Sequence, residues 1–473
     1  MTRRKIFHAI LIALILSAAA SAQTVTTLFT FDGTDGAESV AALVQGTDGN
    51  LYGTTSGDGA NDGGTVFKIT TGGTLTTIYN FCSESNCADG NRPRTGLTLG
   101  TNGNFYGVTP GGGAYGGGNV FEITPAGKLT TIYNFCTEAN CTDGYEAEGA
   151  LIQASNGHFY GTTETGGLNG AGTVFEVTAA GKYTVLWDFC SESNCTDGSE
   201  PAAGLVQATN GDFYGTTAYG GANGQGIVYK ITSGGVLTTL YSFCSQSNCT
   251  DGDTPLAPLI QASNGNLYGT TEKGGTLSGD GGTVFEITPA GKLTTVFSFD
   301  GTDGDVIYAG VIQATDGRLY GMTADGGLGS AGTIFKLTTG GTFTSLYNFC
   351  ENSCDTGATP DASLFQSTNG EIYGVTSSAG SDSSGTVFSL STSLGPFVEI
   401  LPTSGKVGAK ITILGNGLTG ATAVSFNGTA AVFTVVSSTE IKTTVPTGAT
   451  TGTVSVTTPG GTLNSNVKFR VKP

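Results

Sequence analysis

Leu51-Tyr52-Gly53-Thr54-Thr55, followed after a glycine-rich gap by Gly64-Thr65-Val66-Phe67-Lys68-Ile69-Thr70 and then by Leu75-Thr76-Thr77-Ile78-Tyr79-Asn80-Phe81, is a unit that returns along the chain. Its Tyr-Gly core recurs at Tyr106-Gly107, Tyr160-Gly161, Tyr214-Gly215, Tyr268-Gly269, Tyr320-Gly321 and Tyr373-Gly374, with tyrosines 54, 54, 54, 54, 52 and 53 residues apart. A period near 50 made of strand-like segments is the mark of a propeller blade. Each unit reads as four strands: Leu43 to Gln45, Leu51 to Thr55, Gly64 to Thr70 and Leu75 to Phe81. Asp-Gly or Asn-Gly sits between the first two in every unit, as at Asp48-Gly49 and Asn102-Gly103, and predicts a two-residue hairpin with positive φ.

The ends of the array decide its shape. A fourth-strand sequence appears alone at Thr26 to Phe31, before any complete unit, and the seventh unit stops after its third strand at Thr386 to Leu390. The N-terminal strand is therefore expected to complete the last sheet, giving an all-β, seven-bladed β-propeller of 28 strands over residues 23–393 in which joining the two ends blunts the exposed edges of an open array. Up-and-down strand order then puts the short turns on one face and fourteen longer loops on the other. Binding residues usually sit on such loops, carried by a rigid scaffold.

Composition agrees. Of 473 residues 78 are Gly, only 12% are charged, and 25 Phe and 17 Tyr supply a core. The formal charge of -18 lacks the basic footprint of a nucleic-acid binder and gains nothing at an anionic membrane. Arg3, Arg4 and Lys5 precede an apolar run from Ala9 to Leu16 and a small-residue site at Ala20-Ser21-Ala22, so residues 1–22 read as a signal peptide. No later apolar run is long enough to span a membrane. The expected location is secreted or cell-surface, with the periplasm as the alternative, and with no membrane insertion after cleavage. Cleavage would leave 16 basic against 37 acidic residues and His158 as the remaining histidine.

Ten cysteines fall in five close pairs, Cys82 with Cys87, Cys136 with Cys141, Cys190 with Cys195, Cys244 with Cys249 and Cys350 with Cys354, each inside one connection between units. The connections at Asp32 to Gly36 and Asp300 to Gly304 lack both members, which argues for disulfides within each loop, worth about 2 kcal/mol apiece in the chain-entropy model. Thiolate metal binding, the rival, needs four converging ligands.

Beside these pairs or their replacements stand Asp35, Asp89, Asp143, Asp197, Asp251, Asp303 and Asp355. A ring of carboxylates on the long-loop face could hold Ca²⁺ or a cationic ligand; the plainer reading is a turn-shaping Asx residue. Fourth-strand aromatics at spacing two, such as Tyr79 with Phe81 and Trp187 with Phe189, are read as packing between sheets. Gln45, Gln153, Gln207, Gln261, Gln313 and Gln366 end the first strands and are expected to line an axial channel, bonding water or one another. Catalytic templates fail: His158 alone follows a hairpin turn, and no carboxylate pair is marked by its local sequence.

After Ser393 the period stops, and short alternating strands separated by Gly, Asn, Thr and Pro turns predict a β-sandwich. Leu401-Pro402-Thr403-Ser404-Gly405, Ile411-Thr412-Ile413-Leu414-Gly415, Val424-Ser425-Phe426-Asn427-Gly428 and Gly460-Gly461 resemble the IPT/TIG family of immunoglobulin-like domains over residues 396–473. Such domains commonly act as spacers or binding modules. The repeats, reading Leu-Tyr-Gly-Thr-Thr, a gap, then Gly-Thr-Val-Phe-Lys-Ile-Thr, resemble the GloVer tandem repeats of exported bacterial proteins with a choice of anchor, which implies a surface or secreted protein. In outline the chain also resembles galactose oxidase, but that family's copper site uses two His and two Tyr.

The expected function is that of an exported, non-catalytic binding or scaffold protein, its loop face engaging a polysaccharide, an extracellular protein or an envelope component, with no cofactor beyond the Ca²⁺ such a ring would take. The alternative is a carbohydrate-active hydrolase or lyase using acidic residues of that face.

Overall fold

The computed structural model describes residues 23–276 and 281–473; the signal-peptide reading of residues 1–22 lies outside them. The described chain is all-β, its backbone otherwise broken only by turns and single 3₁₀ turns such as Ser85–Cys87. Among the described residues, the repeat region forms seven four-stranded antiparallel sheets, each resembling a propeller blade. The first holds Val44–Gln45, Leu51–Thr55, Thr65–Ile69 and Leu75–Asn80. The last is made from both ends of the array: Val25–Thr30 pairs with Thr386–Leu390, with Val25 opposite Leu390 and Thr30 opposite Thr386. The N-terminal strand thus closes the final sheet one residue earlier in sequence than its pattern suggests.

The turn chemistry differs from expectation in one respect. Gly46 N–H donates to Asn50 O and Gly49 N–H to Gly46 O, so the loop has three residues, not two. Positive φ falls on Gly49 alone, at 81°, while Asp48 keeps negative φ and its carboxylate accepts the Asn50 N–H at 3.1 Å. The pattern is a turn ending in a left-handed glycine, which is why Gly never leaves that position.

Both faces of each central strand are buried. Phe67 and Phe81 pack edge to face at 5.3 Å with Phe31, or with Phe121 of the next sheet, and the same contact repeats around the array. The strand-one glutamines do something more specific than line a channel. Gln153 Oε1 accepts the Thr101 N–H of the preceding sheet at 2.8 Å, and Gln207, Gln261, Gln313 and Gln366 accept in the same way from Ser155, Thr209, Ser263 and Thr315. Gln45 accepts the Thr368 N–H at 2.9 Å and so ties the first sheet to the last. Six joints are clipped side chain to backbone. At the seventh, between the first and second sheets, Leu99 stands where the others carry Gln.

Residues beyond the repeats form two further four-stranded sheets, one containing Glu399–Leu401, Lys410–Leu414, Glu440–Thr444 and Phe433–Val435, the other Thr429–Ala431, Ala423–Phe426, Val454–Thr458 and Gly461–Asn464. Ile411, Ile413, Val424, Phe426, Ile441 and Val456 are among the buried side chains between them. The sequence pattern missed Glu399–Leu401 and Gly461–Asn464, both short strands at the edge of a sheet, where alternation is weakest.

Candidate functional site

Strand order separates two faces of the repeat body, and they have different fates. The C-terminal sheets sit on the short-turn face. Thr439 Oγ1 donates to Thr47 O at 2.7 Å, Phe397 N–H to Thr368 O at 3.1 Å and Lys472 Nζ to Ser155 O at 3.3 Å, while the Arg470 guanidinium meets Thr209 O. All four acceptors lie in first-to-second turns. Leu401 and Leu414 enter the apolar cluster of Leu97, Leu99 and Phe105, covering the one joint without a glutamine clip. A cavity of about 320 Å³ lies between residues in or beside the first strands of four successive sheets and Leu401, Pro402, Thr403 and Ser404. Charge favours this seat, since residues 396–473 hold six basic and two acidic residues against ten and 35 in residues 23–395. Where a spacer was one expectation, the C-terminal unit is a docked cap.

The long-loop face stays open, and five loops on it are tied by Cys82–Cys87, Cys136–Cys141, Cys190–Cys195, Cys244–Cys249 and Cys350–Cys354, each spanning four or five positions. Inside four of them an aspartate gathers the loop. Asp89 Oδ2 accepts the Tyr79 hydroxyl at 2.8 Å, the Ser83 N–H at 2.9 Å and the Ser83 hydroxyl at 2.8 Å, and Oδ1 accepts Glu84 N–H at 3.3 Å. Asp143 and Asp251 repeat this with Tyr133 and Tyr241. Asp197 does so with Trp187, whose Nε1–H donates at 3.2 Å in the place of a tyrosine hydroxyl. Burial pushes the Asp251 carboxyl up, and donation from Tyr241 and Ser245 outweighs it and holds it below the ordinary range.

The two cysteine-free loops carry Phe29 and Phe297 at that aromatic position, with no hydroxyl to give, and Asp35 and Asp303 accept instead from Asp32 and Asp300 N–H. In the shortest cysteine loop Tyr347 bonds Thr356, leaving Asp355 exposed. The seven aspartates are therefore not brought together. Six accept hydrogen bonds within their own loops while Asp355 is exposed, and among the described residues no group of three or more His, Cys, Asp or Glu is arranged to hold a metal ion. In Asp89, Asp143, Asp197 and Asp251 both carboxylate oxygens already accept hydrogen bonds, which favours the turn-shaping reading of these residues.

What the sequence reading missed is a carboxylate pair where the third sheet's loops meet. Glu164 follows Thr163 at the end of a second strand, where other repeats have Ser56, Pro110, Ala218, Glu272, Ala324 and Ser377. Burial, then the charge of Glu148 and a hydrogen bond shared with it, pushes Glu164 up to about 7, with Glu200 and Glu146 adding to the repulsion. Arg94 reaches Glu148 at 3.5 Å from the neighbouring connection. Asp361, at the position of Glu148 in the seventh connection, is raised by burial to about 6 although the Ser377 hydroxyl donates to it at 2.8 Å. The available signal was the combination, since Glu272 repeats the first acid and Asp361 the second but no sibling carries both.

A pH dependence follows. Because Glu164 titrates above its ordinary value of 4.5 in the folded chain, its favourable contribution is complete below about pH 4.5 and is lost as pH rises through about 7. Glu164→Gln should remove that fall, making the variant about 1 kcal/mol more stable than the parent at pH 8.5 and equal to it at pH 4. This is less than the full linkage value because the group is half exposed. Urea unfolding at the two pH values checks it; parallel pH profiles would contradict the assignment.

His158, the only histidine among the described residues, lies on the turn face with Nδ1 against Glu176. Among the described residues no helix is long and apolar enough to cross a membrane.

Two solved structures share the fold. The extracellular domain of a hybrid two-component system from B. thetaiotaomicron is 12% identical, with a TM-score of 0.51 over 93% of this chain, and this chain spans about half (51%) of that protein's length. A fungal alcohol oxidase of the AA5 family, in complex with copper, is also 12% identical, with a TM-score of 0.51 over 95% of this chain and 99% of its own. No curated protein matches the sequence. The IPT/TIG domain model matches residues 397–471. The Gloeobacter/Verrucomicrobia repeat model matches residues 14–205, 134–315 and 280–414, and the chain accordingly belongs to the Gloeobacter/Verrucomicrobia repeat family, with an IPT/TIG domain at its C-terminal side.

Proposed function

We propose that the chain is an exported binding protein: a seven-bladed propeller over residues 23–393 whose long-loop face engages an extracellular polysaccharide, with residues 396–473 as an immunoglobulin-like sandwich fixed to the opposite face. One observation carries this reading. The C-terminal unit is hydrogen-bonded to the turn face at Thr47, Thr368 and Ser155, so the disulfide-tied loops form the face that it leaves uncovered. Rigid loops lose little freedom on binding, which suits a recognition surface. The five intraloop disulfides favour an oxidising compartment, in keeping with export through a signal peptide at residues 1–22. The acidity of the repeat body favours a neutral polymer over a polyanion.

A second reading, a carbohydrate-active hydrolase or lyase, is favoured by Glu164, whose carboxyl is pushed up to about 7 by burial and by Glu148, into the range where a carboxyl can serve as a general acid. A copper site of two His and two Tyr, which the resemblance to galactose oxidase would require, does not fit the described residues, whose single histidine, His158, is tied to Glu176.

Incubation with a panel of soluble polysaccharides, with and without a Ca²⁺ chelator, separates the readings. Retention of the protein without new reducing ends, unchanged by chelator, is the expected result. New reducing ends abolished by Glu164→Gln would replace the first reading with the second.

A further inference from the structure

In an array of near-identical repeats, the informative residues are those at which one unit departs from its siblings. The third sheet carries a combination of three residues, found in no sibling, that meet at the outer edge of the long-loop face. Leu168 tips its second-to-third loop where other repeats have Ala60, Ala114, Ala222, Thr276, Leu328 and Ser381. Tyr183 opens its fourth strand where the others have Val25, Leu75, Leu129, Leu237, Leu293 and Phe343. Asp188 ends that strand where the others carry Thr30, Asn80, Asn134, Ser242, Ser298 and Asn348.

These residues line one groove of about 550 Å³ between the Cys136–Cys141 loop and the outer strand of the third sheet. That is within the size range of small-ligand sites. Tyr183 stacks on Tyr133 at 4.0 Å and 5°, and its hydroxyl donates to Asp143 O at 2.5 Å, so the floor is fixed. Asp188 accepts the Leu168 N–H at 2.8 Å, which holds the loop tip over the groove. Leu168 itself is 73% exposed and contributes little to the core. Thr137, Glu138 and Thr184 complete a wall of hydroxyl and carboxylate oxygens. Only the sixth sheet also pairs a loop-tip leucine with an aromatic, Leu328 with Phe343, but it has Asn348 in place of the acid and borders a cysteine-free loop.

We propose that this groove is a binding subsite for a neutral pyranose unit of a polysaccharide. Sugar hydroxyls would donate to Glu138 and Asp188 and exchange hydrogen bonds with Thr137 and Thr184, while the C–H face of the ring packs on Leu168 and the edge of Tyr183. Charge-assisted acceptors suit hydroxyl donors and repel uronates, which sets the class of polymer. The inference rests on the polysaccharide-binding reading and locates its site.

Affinity electrophoresis through gels containing a soluble β-glucan, a galactomannan or a xylan, with polygalacturonate as the acidic comparator, tests it. The full chain should be retarded by at least one neutral polymer and not by polygalacturonate. Leu168→Ala, Tyr183→Leu and Asp188→Asn should each weaken that retardation at least fivefold. All three install a residue that sibling repeats carry at the same position, so the variants are expected to fold, which matched thermal midpoints verify. Leu328→Ala should leave retardation within twofold of the parent. Equal retardation of parent and groove variants, or an equal loss in Leu328→Ala, overturns the groove and spares the binding reading. Absence of retardation by every neutral polymer, or retardation by polygalacturonate alone, overturns both.

Discussion

Phe31→Ala is expected to lower stability by about 3–5 kcal/mol, as much as the same change at Phe189 in the middle of the array. Phe31 follows the N-terminal strand and is fully buried. Its neighbours come from both ends of the repeat region: Leu43, Leu51 and Phe67 from the first sheet, Tyr373 and Val387 from the last. Its N–H donates to Gly385 O at 3.1 Å. Deleting the ring therefore opens a cavity at the joint where head meets tail. Were Val25–Thr30 only a loose edge strand, the substitution would be nearly silent, because a frayed terminus loses little on truncation. Urea unfolding of the two variants decides the matter: a midpoint shift for Phe31→Ala below a third of that for Phe189→Ala would mean that closure carries no stability.

The period and the orphan fourth strand were enough to anticipate this closure, because both are properties of order along the chain. The cysteine pairing was legible for the same reason: each pair lies within one loop, and whole pairs are absent together. The glutamines were placed on the right strand and given the wrong partner, since the Thr101 N–H that Gln153 accepts belongs to the preceding sheet. Contacts between units depend on a register that the repeat pattern does not encode. The aspartates illustrate a different loss. Asp89 and Asp35 look equivalent, yet one takes a tyrosine hydroxyl and the other cannot, because Phe29 stands in place of Tyr79. That aromatic switch tracks the cysteines in the sequence and marks a loop-building role. The Glu148 and Glu164 pair was hidden among 37 acids and emerges only when each repeat is subtracted from its siblings.

The docking of the C-terminal unit was the least legible feature, and a charge placed in it should have the second large effect. Leu414 ends a strand of that unit but is absent from its internal core; it is buried with Tyr52 and Val66 of the first sheet and Leu99 and Phe105 of the second. In Leu414→Asp, burying an unpaired carboxylate there would cost about 3 kcal/mol or more, and moving the cap off the turn face relieves it. The C-terminal unit keeps Ile411, Ile413 and Ile441 in its own core and should remain folded. Calorimetry should accordingly resolve two transitions where the parent gives one, and protease should gain access to the connection between Ser391 and Pro396. Val432→Ala, at a side chain 88% exposed, serves as the silent control. A single transition with an unmoved midpoint in Leu414→Asp would show that the cap does not depend on this contact. The outcome bears on function through the channel. Leu401 to Ser404 form one wall of the cavity at the first strands, so undocking would remove that wall while leaving the loop face intact. Polysaccharide retention that survives Leu414→Asp would place recognition on the loops alone, as the groove at Leu168 and Tyr183 requires.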